Sequence, residues 1–164
     1  MSFIRLKKRV TKTKENYYAY LVSNTWHNNL PRQKVSSYIG RYHKLAPKHI
    51  KIKPFKENNF LLYLLKKELQ MHDFKQKNKD LFIHPSGFIV NLKKKKVLDK
   101  NSDNNVCLGI NQGFICNYTL NNLLKFKPKN KQQAPKLMIK LLLEIGIKPD
   151  KSVFLEALNK LKLV

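Results

Sequence analysis

Alternation of apolar and charged positions opens the chain. Over Phe3–Val10, Ile4, Leu6 and Val10 take one side of a period-2 pattern and Arg5, Lys7 and Arg9 the other, which predicts a strand. The polar stretch 11–16 reads as a turn. Tyr17–Trp26 is rich in aromatic and β-branched residues that suit a pleated surface. Its one face carries Tyr18, Tyr20, Val22 and Trp26, its other Tyr17, Ala19 and Leu21. After a turn over His27–Pro31, Arg32–Tyr42 alternates again, with Val35 and Ile39 expected on one side. Three strands joined by short turns predict an antiparallel meander. Residues 44–56 follow as a linker, broken by Pro47 and Pro54 and solvated by Lys48, Lys51, Lys53 and Lys56.

The period then lengthens. Phe60, Leu61, Leu64, Leu65 and Leu69 keep the i, i+3, i+4 spacing of a helix over about 57–71. Lys66, Lys67 and Gln70 fall on the side expected to face water, and Glu57 suits the positive end of the helix dipole. Short apolar runs at 81–84, 88–92, 97–98 and 106–110 predict a small central meander packed on that helix. The polar run 99–105 is expected as a mobile loop. Toward the C-terminus, Asn117 is a candidate N-cap for a helix over 118–125. Pro135 and Gly146 bracket a second helix, and Pro149-Asp150 opens a third that runs to about Leu161. Leu137, Leu141, Leu142 and Ile145 are expected to face Phe154, Leu155, Leu158 and Leu161 in a helical hairpin.

The fold class is therefore α+β: an N-terminal three-stranded antiparallel meander, a small central sheet with one covering helix, and a C-terminal helical unit. The units run 1–43, 44–56 as the Lys/Pro linker, and 57–164, ending in the helical hairpin at about 133–164.

Composition adds a partner class. The chain has 34 Lys and Arg against 10 Asp and Glu, a formal charge of +24. A compact fold so charged repels itself, and the commonest cellular polyanion that relieves such repulsion is nucleic acid. Nine Phe, seven Tyr and one Trp argue against a disordered basic tail. No stretch approaches the ~20 apolar residues of a membrane span. The basic start MSFIRLKKRV lacks the apolar region of a secretory signal. Cys107 and Cys116, among apolar residues and without zinc spacing, read as buried free thiols, so the cytoplasm is the expected compartment.

All four Arg residues, Arg5, Arg9, Arg32 and Arg41, lie in the first 41 positions of a chain otherwise basic through Lys. Arg binds phosphate bidentately and stacks on bases, where Lys acts as a point charge. The candidate nucleic-acid contacts are those four with Lys7, Lys12, Lys14 and Lys34, then Lys48, Lys51 and Lys53 in the linker, and the run Lys93, Lys94, Lys95, Lys96 on a hairpin loop. Tyr18, Tyr20, Trp26 and Tyr38 are the candidates for stacking on unpaired bases. At least half of the aromatics in this stretch are expected inside, because a three-stranded sheet needs one buried face. The helices about Gly146 fit a packed αα-hairpin better than a DNA-reading helix-turn-helix. The five His are dispersed without ligand spacing, and no nucleophile elbow, phosphate loop or paired-acid motif is present. No metal, cofactor or catalytic residue is assigned, and the chain is not expected to be an enzyme.

Residues 18–41, YAYLVSNTWHNNLPRQKVSSYIGR, resemble the amino-terminal β-segment of some DDE-type insertion-sequence transposases. The residues that carry the likeness are Tyr18, Tyr20, Leu21, Val22, Arg32, Gln33, Val35, Ile39, Gly40 and Arg41. The resemblance implies a small β-module able to bind nucleic acid. It does not imply transposition, since the acids after residue 45 show no DDE arrangement. Small size, basicity and folded cores joined by Lys-rich linkers favour a non-catalytic RNA-binding protein of the ribosome or another ribonucleoprotein. The alternative is a DNA-binding accessory of a mobile element or defence system, with a small nuclease or RNA-modifying enzyme as a third reading.

Overall fold

The computed structural model describes residues 2–28, 30–48, 57, 59–127, 130 and 132–160. Its fold is mixed α+β. The predicted meander forms from β1 (Ser2–Val10), β2 (Glu15–His27) and β3 (Leu30–Lys44). β1 and β2 pair without interruption from Ser2↔Ser23 to Val10↔Glu15. Because β2 and β3 run on past Ser2, the stretches Asn24–His27 and Leu30–Gln33 pair, among the described residues, only with each other and form a two-stranded arm.

β3 is not a regular strand. Its pairing with β2 skips at Ser36 and at Ile39, two bulges that each insert a residue without a partner. Val35 and Ile39, expected on one side, are thereby separated. Ile39 is buried beside Ala19 and Cys107, while Val35 is exposed.

The meander does not end its own sheet. Arg41–Lys44 pair in parallel with β8 (Val106–Ile110), and β8 pairs back with β9 (Gly113–Ile115). The result is a five-stranded sheet ordered β1-β2-β3-β8-β9. The run 106–110, expected in the central meander, belongs to this sheet instead. At the seam, Gly40 sits at φ 155° and a Cβ there would lie 2.3 Å from the Asn105 carbonyl oxygen. Only glycine fits so close an approach.

The second sheet has four short antiparallel strands: β4 (Lys75–Asn78), β5 (Leu81–Ile83), β6 (Phe88–Asn91) and β7 (Lys96–Asp99). It packs against α1 (Phe60–Met71). Phe60, Leu64, Leu65 and Leu69 of the helix join Phe82, Val90 and Val97 of the sheet and Leu108 and Ile110 of β8 in the main core. Asn59 caps α1 by accepting the Leu62 N–H, so Glu57 lies outside the helix. Lys66, expected on the solvent face, is only 3% exposed and forms a 2.5 Å ion pair with Glu57. α4 (Lys151–Lys160) also packs on α1.

The C-terminal helices follow the predicted punctuation more closely than the predicted packing. α2 spans Asn117–Leu124 and is capped at Cys116, whose N–H donates to Thr119 Oγ1. Asn117, the expected cap, instead accepts the Val97 N–H and ties α2 to β7. α3 spans Ala134–Ile145 and ends on Gly146 in the left-handed region at φ 92°. α3 packs mainly on α2 and β9, whereas α4 reaches α1. Leu137 and Leu155, expected to meet in a hairpin, are both exposed, and Leu161 lies outside the described residues. The loop 99–105 is held by turn hydrogen bonds, Asp103 N–H to the Asp99 carbonyl and Asp99 N–H to the Asn104 carbonyl.

Candidate functional site

Ladder register decides which cations meet. Paired residues share a face of an antiparallel sheet. Arg5 opposes Tyr20, which opposes Tyr38; Lys7 opposes Tyr18, which opposes Arg41; Arg9 opposes Asn16. These rows put Arg5, Lys7, Arg9, Arg41, Tyr18, Tyr20 and Tyr38 on one side of the meander. The opposite side, with Ile4, Leu6, Ala19, Leu21 and Ile39, closes over Cys107 and Cys116 as a second small core. Burial of one face is what frees the other for contact.

Cations and rings on the open face are interleaved. Lys7 Nζ lies 5.1 Å from the centre of the Tyr20 ring, and the Arg9 guanidinium 5.4 Å from that of Tyr18. Tyr38 lies 5.3 Å from Tyr20 and 6.3 Å from Tyr18, and is 56% exposed. Arg41 donates to the Asn16 amide oxygen and Arg5 to that of Gln33. Those partners are neutral, so they orient two guanidiniums without cancelling their charge. Glu15, the only acid before Glu57, falls on the opposite side and is held by Lys8 at 2.6 Å. Partial burial, then the neighbouring Tyr18 and Tyr20, push the Tyr38 hydroxyl above the usual phenol range, so it stays neutral.

The remaining candidates are dispersed. Arg32 and Lys34 pair with Thr25 and Ser23 and so occupy the other side of the ladder from Arg5, Arg9 and Arg41. The four Arg do not form one cluster. Trp26 shares the Tyr18/Tyr20 side but stands out on the arm, 76% exposed. Lys12 and Lys14 are exposed in the β1–β2 turn, next to Arg9. Lys48 is paired with Asp73, whose carboxyl is held below its ordinary range by that bond. Lys51 and Lys53 lie outside the described residues. Lys93–Lys95 occupy the β6–β7 turn and Lys96 opens β7; Asn91 Oδ1 accepts the Lys94 N–H. Phe88, at the start of β6, lines the cleft beside the meander, whereas the tetralysine sits at the opposite end of the β6–β7 hairpin.

One feature of the meander has no signature in the local sequence. The β2–β3 ladder stops at Tyr18↔Arg41. Beyond it, Glu15–Tyr17 stay with β1 while Tyr42–Lys44 follow β8, and the strands part. The fork opens a cleft of about 710 Å³ lined by Leu6, residues 15–17 and 41–45, Ser86 and Phe88. No nearby pattern announces it, because the partner that draws β3 away lies more than sixty positions downstream.

Elsewhere the chemistry is structural. Cys107 on β8 and Cys116, the residue between β9 and α2, are buried free thiols, and their mutual hydrogen bond draws Cys116 down while pushing Cys107 up. His72 Nδ1 lies 3.0 Å from the Glu68 carbonyl oxygen inside the core. Among the described residues, no group of three or more His, Cys, Asp or Glu converges as a metal cluster would. No helix among them is long and apolar enough to cross a membrane. Comparison with family models, curated proteins and solved structures gives no match.

Proposed function

We propose that this protein binds RNA through the open face of its N-terminal meander, without catalysing a reaction, as a component of the ribosome or another ribonucleoprotein. The observation that carries this reading is the face itself: Arg5, Lys7, Arg9 and Arg41 interleaved with Tyr18, Tyr20 and Tyr38, and no carboxylate of these strands among them. Cations along such a face attract phosphates, and partly exposed rings offer stacking surfaces worth about 1–3 kcal/mol per base. Stacking needs bases that are not already stacked in a duplex. That requirement favours loops, bulges and single strands, which RNA supplies in quantity. The cytoplasm is the compartment that goes with this role, and buried free thiols suit a reducing milieu.

Competition at fixed salt between single-stranded RNA, loop-containing RNA and duplex DNA tests the proposal. RNA with unpaired bases should win. A duplex DNA of one sequence winning by about a thousandfold, the margin of specific DNA sites, would overturn it in favour of a DNA-binding accessory. Clean Mg²⁺- or Mn²⁺-dependent cleavage of the RNA would overturn the non-catalytic part. Tyr38→Ala should weaken single-stranded RNA binding about tenfold, about 1.4 kcal/mol, and leave the melting temperature unchanged.

A further inference from the structure

We infer that the fork between β2 and β3 is a nucleotide pocket, which takes one unpaired base of the strand held on the open face. This inference rests on the RNA-binding reading for its polymer, but not for the pocket. Four observations converge on it. The cleft of about 710 Å³ falls within the range of small-molecule sites, roughly 300–1,000 Å³. Its lining includes three aromatic rings: Tyr17 and Tyr42 meet edge to face at 6.4 Å, and Phe88 lies 4.7 Å from the His43 ring. A planar base is the natural guest of such surfaces.

The polar groups are the second and third points. His43 Nε2 is buried without a hydrogen-bond partner, although the residue lines the cleft. An unpaired buried ring nitrogen costs stability unless something meets it, and the edge of a base carries both donors and acceptors. Burial, reinforced by Arg41, holds this imidazole below its ordinary range, so it is neutral at pH 7 and able to accept or donate according to tautomer. Arg41 and Lys44 also line the cleft and supply cations for the attached phosphate, while its one acid, Glu15, is already paired with Lys8.

The fourth point is continuity. Arg41 and Asn16 belong both to the open face and to the cleft lining. A strand tracking the face past Tyr18 reaches the fork with no gap, and the β2–β3 hydrogen-bond ladder that would otherwise close it has ended there. The pocket therefore has an apolar floor, aromatic walls, an unsatisfied polar atom and a basic rim shared with the polymer site.

The test begins with mononucleotides, so that it does not depend on polymer binding. AMP, GMP, CMP and UMP are titrated into the whole chain, with backbone amide shifts of Asn16, Tyr17, Tyr42 and Lys44 as the readout and inorganic phosphate as control. At least one nucleotide should produce saturable shifts at these amides that phosphate does not. Ser86→Trp, which fills the mouth from an exposed turn, should weaken that binding at least tenfold. His43→Phe keeps a ring on Phe88 but removes the nitrogens, and should alter the ranking of the four bases. No shift with any nucleotide, equal shifts with phosphate alone, or undiminished binding in folded Ser86→Trp would each overturn the pocket. Arg5→Ala/Arg9→Ala separates the two readings, because it should weaken RNA binding while leaving mononucleotide shifts intact. Mononucleotide binding in a protein that ignores every RNA offered would sink the RNA-binding proposal and leave the pocket standing.

Discussion

The two halves of this molecule carry their positive charge differently. In the part that follows the meander, acids and lysines answer one another within the fold: Glu57 holds the buried Lys66, Asp73 holds Lys48 and, on α3, Glu144 lies 3.7 Å from Lys140. On the open face of β1–β3, the guanidiniums of Arg5 and Arg41 are oriented by amides, and the cations of Lys7 and Arg9 lie over rings. Net charge alone does not point to a site. What locates one is the absence of internal counter-charge beside exposed rings.

That contrast can be broken from either side. The largest effect should come from Glu57→Gln, which leaves the Lys66 ammonium buried without its partner, at a cost of about 3 kcal/mol, measured by urea denaturation at pH 7. The Lys66 hydrogen bond holds the Glu57 carboxyl below its ordinary range. Its contribution is therefore present above the unfolded-state pKa and lost as pH falls through the folded one. The difference between wild type and Glu57→Gln should shrink on acidification. A constant difference at every pH would mean that packing, not charge, is responsible. Lys66→Met should cost much less, since it replaces a buried ion by an apolar chain of similar volume.

Next in size is the triple variant Arg5→Ala/Arg9→Ala/Arg41→Ala. RNA affinity should fall about a hundredfold near 0.1 M salt, and the log–log salt slope should flatten by up to ~0.7 for each phosphate of a single strand that is no longer neutralised. The urea midpoint should stay in place, the reverse of the Glu57 variant. Arg32→Ala, on the other side of the ladder, should change the slope less than any one of the three. If Arg32 matters as much as Arg9, the face has been drawn on the wrong side. The smallest effect should come from Lys93–Lys96 changed together to Ala, with RNA affinity within about threefold of wild type at 0.15 M salt. A larger drop would show that the polyanion also reaches the β6–β7 turn.

Where alternation was strong, the chain was readable. Phe3–Val10 and Tyr17–Trp26 appear as β1 and β2 with the expected faces, and Val106–Ile110 is a strand with the expected ends. Gly146 ends α3 as its left-handed tolerance suggests. The misses have physical causes. β4 is KQKN, an all-polar strand exposed along its length, and β9 has only three residues. Neither carries a periodic signal. The open face was legible in part: Arg32 and Arg41 lie nine positions apart, an odd spacing that already assigns them to opposite sides. Tyr38 reaches the Arg41 side only through the bulge at Ile39, which alternation does not reveal. Lys66 looked solvated because its spacing within the helix gives no hint that Glu57, which lies outside the helix, folds back to pair with it. The fork was invisible, since it results from a parallel partner remote in sequence.

Gly40 has a consequence for modularity. Its neighbour across the seam is the backbone at Asn105, with no room for even a methyl group. A meander cut away at its apparent boundary would bare the β3 edge and forfeit the partner that holds the fork open. Grafting this module onto another scaffold would require carrying a β8-like strand along with it, and divergent versions of the chain should keep glycine at 40 even where the neighbouring loop is rewritten.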